Sequence, residues 1–349
     1  MQARQCSIDA MNYKAPVWLP GGNLQTIWPA LFARRVDGDL PRYRRERWAA
    51  PDGDFVDVDW LVPHVVAGAS GAPKPGTLLV LFHGLEGSSR SHYAEAFADY
   101  AARHAMAFAV PHFRGCSGEI NWGPRAYHSG DHEEVGWILA RLKALHQAAG
   151  GHDVVAVGVS LGGNALLRWA EEQGAHAAQV VRAVAAVSSP VDLAAGGHAI
   201  GQGFNRLVYT RMFLRSMKPK ALRKLAQHPG LFDRQALMAA RDLFEFDNVF
   251  TAPLHGYKNT DDYWLRASAK PHLQQIKLPA LVVNAKNDPF VPAHSLPRAG
   301  DVGRHVTLWQ PVHGGHVGFP KGRPPGHIRG LPDMVGGWLR QHTEGAGHG

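Results

Sequence analysis

A serine between two glycines carries the clearest chemical signal in this sequence of 349 residues. Residues 158–162 read Gly-Val-Ser-Leu-Gly and join an apolar run, residues 154–159, to a helical pattern that begins at Leu161. A sharp turn from strand to helix strains the serine backbone and exposes its hydroxyl group. We therefore expect Ser160 to be the nucleophile of an acyl-transfer reaction, although the same pattern also occurs in ordinary turns.

The acid that should support this nucleophile is expected after a late strand. A serine hydroxyl needs a base to take its proton, and the base needs a carboxylate to orient it. After a turn of this kind the acid and then the histidine follow along the chain. Asp288 lies in the exit loop of the apolar run 280–284 and is the expected acid. Asp192 is the reserve candidate, and the alternative role for Asp288 is to cap a helix after Pro292.

Two histidines compete for the role of general base. His313 and His316 follow the apolar run 306–309 and are separated by two glycines. The glycines give the backbone freedom to bring the second histidine toward Ser160, so we expect His316 to be the base and keep His313 as the alternative. A metal site on the pair is a third interpretation, but no HExxH or paired CxxC pattern accompanies it. We expect no metal and no cofactor.

Acyl transfer also requires donors for the negative charge that develops on the carbonyl oxygen. One expected donor is the backbone N–H of Leu161, the residue after the nucleophile. The second should come from the loop after an earlier strand, residues 83–87, where Leu85 is the expected donor. His83 begins this loop, and we expect it to brace the loop rather than to react.

Short apolar runs alternate with helical patterns along most of the chain. Runs bounded by turn residues suit strands that are buried on both faces. They cover residues 55–62, 78–82, 107–110, 154–159, 180–187, 280–283 and 306–309. The clearest helix is expected after His128 with Ser129 as its N-cap, and a last helix is expected near residues 334–339. The alternation predicts a mostly parallel sheet with helices on both faces.

The alternation stops between Pro190 and Leu278. This stretch has helical patterns at residues 209–225, 234–246 and 261–269 but no good strand. We expect a single domain, residues 1–349, in which residues 190–278 form a helical lid insertion over the site. An ordinary set of surface helices is the alternative.

Composition narrows the classes of function. Two cysteines, Cys6 and Cys116, are too few for a disulfide framework. No candidate base accompanies Cys116 in the sequence pattern, so Cys116 ranks below Ser160 as a nucleophile. No secretory signal pattern and no apolar run of about 18 residues occurs, so we expect a cytoplasmic protein without a transmembrane segment. The net charge is +8, and six arginines lie within residues 34–47.

The arginine-rich segment matches no nucleic-acid motif, and we expect no nucleic-acid partner. The six arginines have little aromatic interleaving and are expected on a solvated face, with contact to anionic lipid or substrate as the alternative. They are Arg34, Arg35, Arg42, Arg44, Arg45 and Arg47.

Taken together, the motifs resemble a known family. They lie at residues 23–26, 83–88, 113–119, 127–130, 158–164, 284–289 and 314–319. With these motifs in this order, the chain resembles the YheT-like branch of the α/β-hydrolases, a group of candidate esterases. The resemblance implies an α/β-hydrolase fold and a serine hydrolase that cleaves carboxylic esters through an acyl-enzyme, on a small-molecule ester or an acyl lipid.

Rival functions share the same residues. Family members resemble cytoplasmic bacterial ester hydrolases, and more distant eukaryotic relatives resemble lipid hydrolases. A thioesterase, an amidase or a lipase-type acyl hydrolase could use the same triad, because one fold hosts many chemistries. A non-catalytic binding protein of the same fold is the remaining alternative. The oligomeric state does not follow from the sequence.

Overall fold

An eight-stranded sheet forms the centre of the protein. The structure, a computed structural model, describes residues 13–63 and 76–343, so Cys6 lies outside the described residues. The strands are β1 (Tyr43–Ala49), β2 (Phe55–Leu61), β3 (Thr77–Phe82), β4 (Ala107–Pro111), β5 (Asp153–Val159), β6 (Ala183–Val187), β7 (Ala280–Val283) and β8 (Val306–Trp309). Their spatial order is β1-β2-β4-β3-β5-β6-β7-β8.

The predicted mostly parallel sheet is confirmed. Strand β2 pairs antiparallel with β1 and β4, and all other neighbouring strands pair parallel. Strands β5, β6 and β7 are buried along their whole length. Continuous Val, Leu and Ala runs suit these positions because both faces of the sheet are covered.

Helices pack on both faces of the sheet. The main helices are α1 (Gly21–Leu31), α2 (His92–Arg103), α3 (His132–Ala148), α4 (Leu161–Gln173), α5 (Leu193–Ile200), α6 (Arg211–Gln227), α7 (Arg234–Ala239), α8 (Leu243–Val249), α9 (Thr260–Ala267) and α10 (Gly330–Arg340). Shorter turns lie at Gly174–His176, Ala177–Val180, Gly203–Asn205, Arg206–Thr210, Thr251–Leu254, Lys270–Gln275, Ala293–Ser295 and Ala299–Asp301.

The two faces of the sheet build two separate cores. In β3, Leu78 and Val80 pack with helices α3 and α4, whereas Leu79 and Leu81 pack with α2 and α10. This alternation follows from the two-residue period of a strand. The sheet is therefore the rigid platform on which the loops at its edge are held.

Two local expectations differ from the structure. Helix α3 begins at His132 with Asp131 as its N-cap, not Ser129. The backbone of Ser129 is committed elsewhere, because its N–H donates to the Tyr263 hydroxyl and its carbonyl accepts from Asn164. Strand β6 begins at Ala183 because Ala177–Val180 forms a helical turn. Residues 65–76 are rich in Ala, Gly and Pro, which predicts a surface loop, but apart from Gly76 they lie outside the described residues.

Strand β1 was not predicted, since its residues are mostly charged. Arg45 and Arg47 each form paired hydrogen bonds with a buried carboxylate of β2, Asp59 and Asp57 respectively. These cross-strand pairs replace the apolar contacts that normally mark a strand. Part of the arginine-rich segment is thus bound to buried carboxylates of this chain, although Arg45 and Arg47 keep part of their surface in water.

Residues 188–279, between β6 and β7, contain helices α5 to α9 and no strand. Their apolar side chains form small clusters of their own, one around Leu237 and Phe246 and another around Tyr263 and Trp264. In the described part of the chain, no helix has both the length and the apolar character needed to cross a bilayer.

Candidate active site

Ser160 lies at a strained turn between β5 and α4. Its φ of +52° is in the left-handed region, which is uncommon for residues other than glycine, and its N–H donates to the Val187 carbonyl at 2.8 Å. The flanking glycines permit this turn. A Cβ on Gly158 would lie 2.4 Å from the Gly162 carbonyl oxygen, and a Cβ on Gly162 would lie 2.4 Å from the His83 carbonyl oxygen.

A cavity with about 1160 Å³ of empty space, partly open to solvent, contains this turn. Ser160, Leu161, Leu85 and His316 all line it. Its remaining wall is mostly apolar and comes largely from the helices between β6 and β7. These wall residues include Leu193, Ile200, Phe213, Met217, Leu243, Phe246, Phe250 and Trp264. A cavity whose surface is mostly apolar is typical of a site for an apolar ligand.

The side chains of His316 and Asp288 form a hydrogen bond. His316 Nδ1 lies 2.9 Å from Asp288 Oδ2, and the Asp288 side chain is completely buried. The other carboxylate oxygen accepts the backbone N–H groups of Phe290 at 2.8 Å and Val291 at 3.3 Å. Because the carboxylate only accepts, Nδ1 carries a proton, and the neutral imidazole keeps Nε2 free to take another.

Within the described residues, Ser160 Oγ has no hydrogen-bond partner within 3.5 Å, including His316. Catalytic hydrogen bonds are often long before a substrate binds. Both residues nevertheless line the same cavity, and the ring of Phe290 packs 4.2 Å from that of His316. The chain thus brings a serine, a histidine and a carboxylate to one edge of the sheet.

The reserve residues lie in other settings. Asp192 caps helix α5, where it accepts the Ala195 N–H at 3.1 Å, and its carboxylate lies 3.6 Å from Lys270 Nζ. His313 is exposed, and its Nδ1 lies 3.4 Å from the amide nitrogen of Asn287. Among the described residues, no three His, Cys, Asp or Glu side chains lie together as a metal site.

The loop that carries His316 is held by the first helix. Gln25 Oε1 accepts the Gly314 N–H at 2.9 Å, and Thr26 Oγ1 accepts the His316 N–H at 2.8 Å. Both side chains are buried. In the sequence, residues 23–26 contribute only to the family resemblance, and nothing in their pattern indicates this supporting role.

Two backbone N–H groups beside Ser160 have no acceptor within the described chain: those of Leu85 and Leu161. Leu161 is the first residue of α4, where the N–H groups lack partners inside the helix. Leu85 lies in a loop that passes close to the serine, since a Cβ on Gly84 would lie 3.2 Å from the Ser160 Cβ. Unpaired donors of this kind suit a developing oxyanion.

Tyrosines anchor this loop on either side of Leu85. The Gly84 N–H donates to the Tyr93 hydroxyl at 2.8 Å, and the Glu86 N–H donates to the Tyr127 hydroxyl at 2.9 Å. The neighbours of Leu85 are therefore held in place while its own N–H stays available.

The expectation that His83 braces the loop is confirmed. Its Nδ1 bonds the Gly84 carbonyl at 2.8 Å, and its Nε2 accepts the Phe113 N–H at 3.1 Å. Burial lowers the pKa of His83 to about 3, so the ring is neutral with both nitrogens occupied. Burial also raises the pKa of Cys116 to about 12, which keeps it a thiol and makes it a poor nucleophile.

Two further polar side chains in the cavity were missed as site residues. His128 Nδ1 accepts the Gly130 N–H at 3.1 Å, and burial lowers the pKa of His128 well below its ordinary value. The neutral ring therefore carries its proton on Nε2. Asp247 accepts the Thr251 hydroxyl at 2.6 Å and the Trp264 Nε1–H at 3.0 Å, and burial raises its pKa to about 6. The motif at residues 127–130 could have pointed to His128.

Helix α6 is tied to the core beside the cavity. Lys220 Nζ lies 3.0 Å from the carboxylate of Glu86. Lys224 Nζ donates to the carbonyls of Asn121 at 2.6 Å and Gly123 at 2.7 Å, and burial lowers the pKa of Lys224 to about 8. Both lysines line the cavity, but each already has partners within the protein.

Comparison with known proteins identifies the family. A family model described as the alpha/beta hydrolase fold matches residues 77–322. The chain is also 38% identical over 324 residues to YheT of Escherichia coli (strain K12), which is named as a candidate esterase; the match covers 92% of this chain and 91% of that one. The chain belongs to the YheT-like α/β-hydrolases.

More distant relatives of this YheT-like α/β-hydrolase include the phospholipase ABHD3 of Homo sapiens, 26% identical over 318 residues that cover 91% of this chain and 76% of the relative. Among solved structures, the acylaminoacyl peptidase of Pyrococcus horikoshii superposes with a TM-score of 0.55 at 15% identity, covering 88% of this chain and 42% of that longer one. The second likeness concerns the fold alone. Relatives named as an esterase and a phospholipase support hydrolase activity.

Proposed function

We propose that this α/β-hydrolase cleaves carboxylic esters with Ser160 as nucleophile, His316 as general base and Asp288 as the residue that orients His316. One observation carries the proposal. The strained Ser160 shares a cavity with an imidazole whose Nδ1 is bonded to a fully buried carboxylate. A serine on such a turn and a histidine oriented by a carboxylate are the parts that acyl transfer requires.

Each step follows from groups of this chain. His316 Nε2 takes the Ser160 proton as Oγ attacks the ester carbonyl carbon, and the oxyanion accepts hydrogen bonds from the Leu85 and Leu161 N–H groups. The bond to the alcohol oxygen then breaks, and His316 returns the proton to the departing alcohol. The product is an acyl-enzyme on Ser160. Water, deprotonated by His316, attacks the acyl carbon. The bond from that carbon to Ser160 Oγ then breaks, His316 returns the proton to Oγ, and the carboxylic acid leaves.

The insertion at residues 190–278 is proposed to act as a helical lid that sets the preferred acyl chain. Its side chains supply much of the apolar wall opposite Ser160, including Phe213, Met217 and Phe246. An apolar wall favours an acyl chain over a charged group, because burial removes apolar surface from water. A small-molecule ester or an acyl lipid is the proposed substrate class, and a cytoplasmic location stays a prediction.

Labelling with a fluorophosphonate probe tests the nucleophile. The probe should modify wild-type protein at Ser160, and Ser160→Ala should lose both labelling and turnover of p-nitrophenyl esters, by on the order of 10³ or more. Ser129→Ala is the matched control, because Ser129 lines the same cavity but is not at the strained turn. Equal labelling of wild type and Ser160→Ala would refute the proposal.

A substrate panel separates esters from thioesters. Acyl p-nitrophenyl esters and acyl-CoA thioesters of equal chain length should be compared at one enzyme concentration. The proposal predicts that kcat/KM is higher for the esters. A clear preference for the thioesters would replace ester hydrolysis with thioester hydrolysis on the same residues.

A further inference from the structure

The helical segment at residues 203–227 has an unusual charge. It contains seven basic residues and no acidic residue. The basic residues are Arg206, Arg211, Arg215, Lys218, Lys220, Arg223 and Lys224. Such an imbalance gives the segment a strong positive potential that attracts anions.

This segment has two faces. The inner face lines the cavity with Phe213 and Met217. The outer face, defined by Phe204, Leu207, Val208, Arg211, Met212 and Arg215, is exposed. Leu207 is 58% exposed and Met212 is 55% exposed, which is high for large apolar side chains. The outer face therefore combines apolar side chains with arginines.

The arginines of the outer face are available to an external partner. Within the described residues, neither Arg211 nor Arg215 forms an ion pair or a side-chain hydrogen bond. Arg45 and Arg47 of β1, by contrast, are held by buried carboxylates. Among residues 13–63 and 76–343, no carboxylate therefore pairs with the arginines of the outer face.

The outer face lies beside the candidate active site. Asn205 donates to the Pro289 carbonyl at 2.6 Å, in the loop that carries Asp288. The Tyr209 ring packs 4.5 Å from the Phe290 ring, which in turn packs against His316. A partner bound to the outer face would therefore sit next to the cavity of Ser160.

We propose that the outer face docks on an anionic lipid bilayer and presents the cavity to lipid esters. Helical surfaces that combine apolar side chains with arginine bind at the boundary between headgroups and acyl chains, where both types of side chain find partners. The role in catalysis rests on the proposed function, whereas the docking itself does not.

The mixture of apolar side chains and arginines favours an anionic bilayer over a nucleic acid or an uncharged apolar partner. A nucleic acid would pair with Arg211 and Arg215 but leave Leu207 and Met212 in water. An uncharged apolar partner would cover the apolar side chains but leave the arginines without anions. An anionic bilayer satisfies both sets at once.

Vesicle sedimentation with the full chain tests the docking. Wild-type protein should bind phosphatidylglycerol-containing vesicles about ten-fold or more tightly than pure phosphatidylcholine vesicles. Leu207→Ser and the double variant Arg211→Glu/Arg215→Glu should each weaken binding to the anionic vesicles, the double variant by about ten-fold or more.

Matched controls lie away from the site. Leu145→Ser changes an exposed leucine near the end of α3, and Lys277→Glu/Arg304→Glu reverses two exposed charges that precede β7 and β8, at the opposite sheet edge. Both control variants should bind anionic vesicles like wild type. Binding that is equal for the two vesicle types, or unchanged in Arg211→Glu/Arg215→Glu, would overturn the proposal.

A soluble substrate separates this proposal from the proposed function. Hydrolysis of p-nitrophenyl butyrate should be the same in all four variants and in wild type, because the outer face does not contact Ser160. A wild type that binds anionic vesicles but cleaves no ester would contradict only the proposed function. Binding of soluble poly-glutamate without binding to either vesicle would instead indicate an acidic protein partner and contradict the docking.

Discussion

His316 Nδ1 lies 2.9 Å from Asp288 Oδ2, and no part of the Asp288 side chain is exposed to solvent. Two backbone N–H groups bind the other carboxylate oxygen, so the orientation of the carboxylate is set before a substrate arrives. A histidine held in this way presents the same nitrogen to the cavity at all times, which favours proton transfer.

The two histidines after β8 should differ sharply when each is changed to alanine. His316→Ala should lower kcat for ester hydrolysis by on the order of 10³ or more, because it removes the imidazole that is proposed to take the Ser160 proton. His313→Ala should leave kcat close to wild type, since its ring is exposed and outside the cavity. Steady-state kinetics on p-nitrophenyl esters checks this, and a larger loss in His313→Ala would assign the base to His313.

The turn at Ser160 should not tolerate a methyl group at Gly162. A Cβ there would lie 2.4 Å from the His83 carbonyl oxygen and 2.5 Å from that of Phe82, both of them backbone atoms. Gly162→Ala should lower the free energy of unfolding by about 3 kcal/mol and reduce turnover. Gly337→Ala, in α10 with nothing within 4 Å of the new Cβ, should raise it by about 1 kcal/mol.

Urea denaturation measures both glycine variants, and ester hydrolysis reports on the turn. A Gly162→Ala variant as stable and as active as wild type would contradict the close packing of the turn against β3.

The buried carboxyl of Asp247 should make stability depend on pH. Burial raises its pKa from the ordinary 3.8 to about 6, so the folded chain holds this proton more tightly than the unfolded chain. The stability that the protonated Asp247 carboxyl contributes is fully present below about pH 4. It is lost as pH rises through about 6, which lowers the free energy of unfolding by about 3 kcal/mol in total.

Asp247→Asn tests this dependence, since the amide keeps an oxygen that can accept from Trp264 but carries no charge at any pH. The variant should match wild type near pH 4 and exceed its free energy of unfolding by up to about 3 kcal/mol above pH 7. Chemical denaturation across this range provides the measurement. A stability difference that does not grow with pH would show that Asp247 is ionised in the folded protein without penalty.

The cavity wall should set the preferred length of the acyl chain. Met217 lines the cavity, so Met217→Trp should shorten it and lower kcat/KM for dodecanoyl esters relative to acetyl esters by about ten-fold. Met212→Trp adds the same volume on the outer face of α6 and should leave this ratio unchanged for soluble esters. An equal change of the ratio in both variants would mean that the inner face does not contact the acyl chain.

The sequence predicted seven of the eight strands because most of their residues are apolar, and those of β5, β6 and β7 are buried along the whole strand. It also predicted the loops of Ser160, Asp288 and His316, since each follows the carboxyl end of a parallel strand. Strand β1 was not predicted because its arginines are stabilised by carboxylates on β2, and no local sequence pattern reveals these pairs.

Contacts between distant parts of the chain could not be predicted from the sequence either. Ser129 looks like an N-cap locally, but Tyr263 and Asn164 bind its backbone from other elements. Gln25 and Thr26 support a loop almost 290 residues further along the chain. Such partners depend on the folded arrangement rather than on sequence spacing.

The charged strand β1 also has a consequence for how copies of the protein meet. It lies at one end of the sheet, where unpaired backbone groups could recruit a strand of another molecule. Arg44, Arg45 and Arg47 project from it with part of their surface in water, so a second copy would bring like charges together and strip them of hydration. At the other end, β8 has only four residues and offers a short template. The sheet thus resists growth into aggregates at both ends.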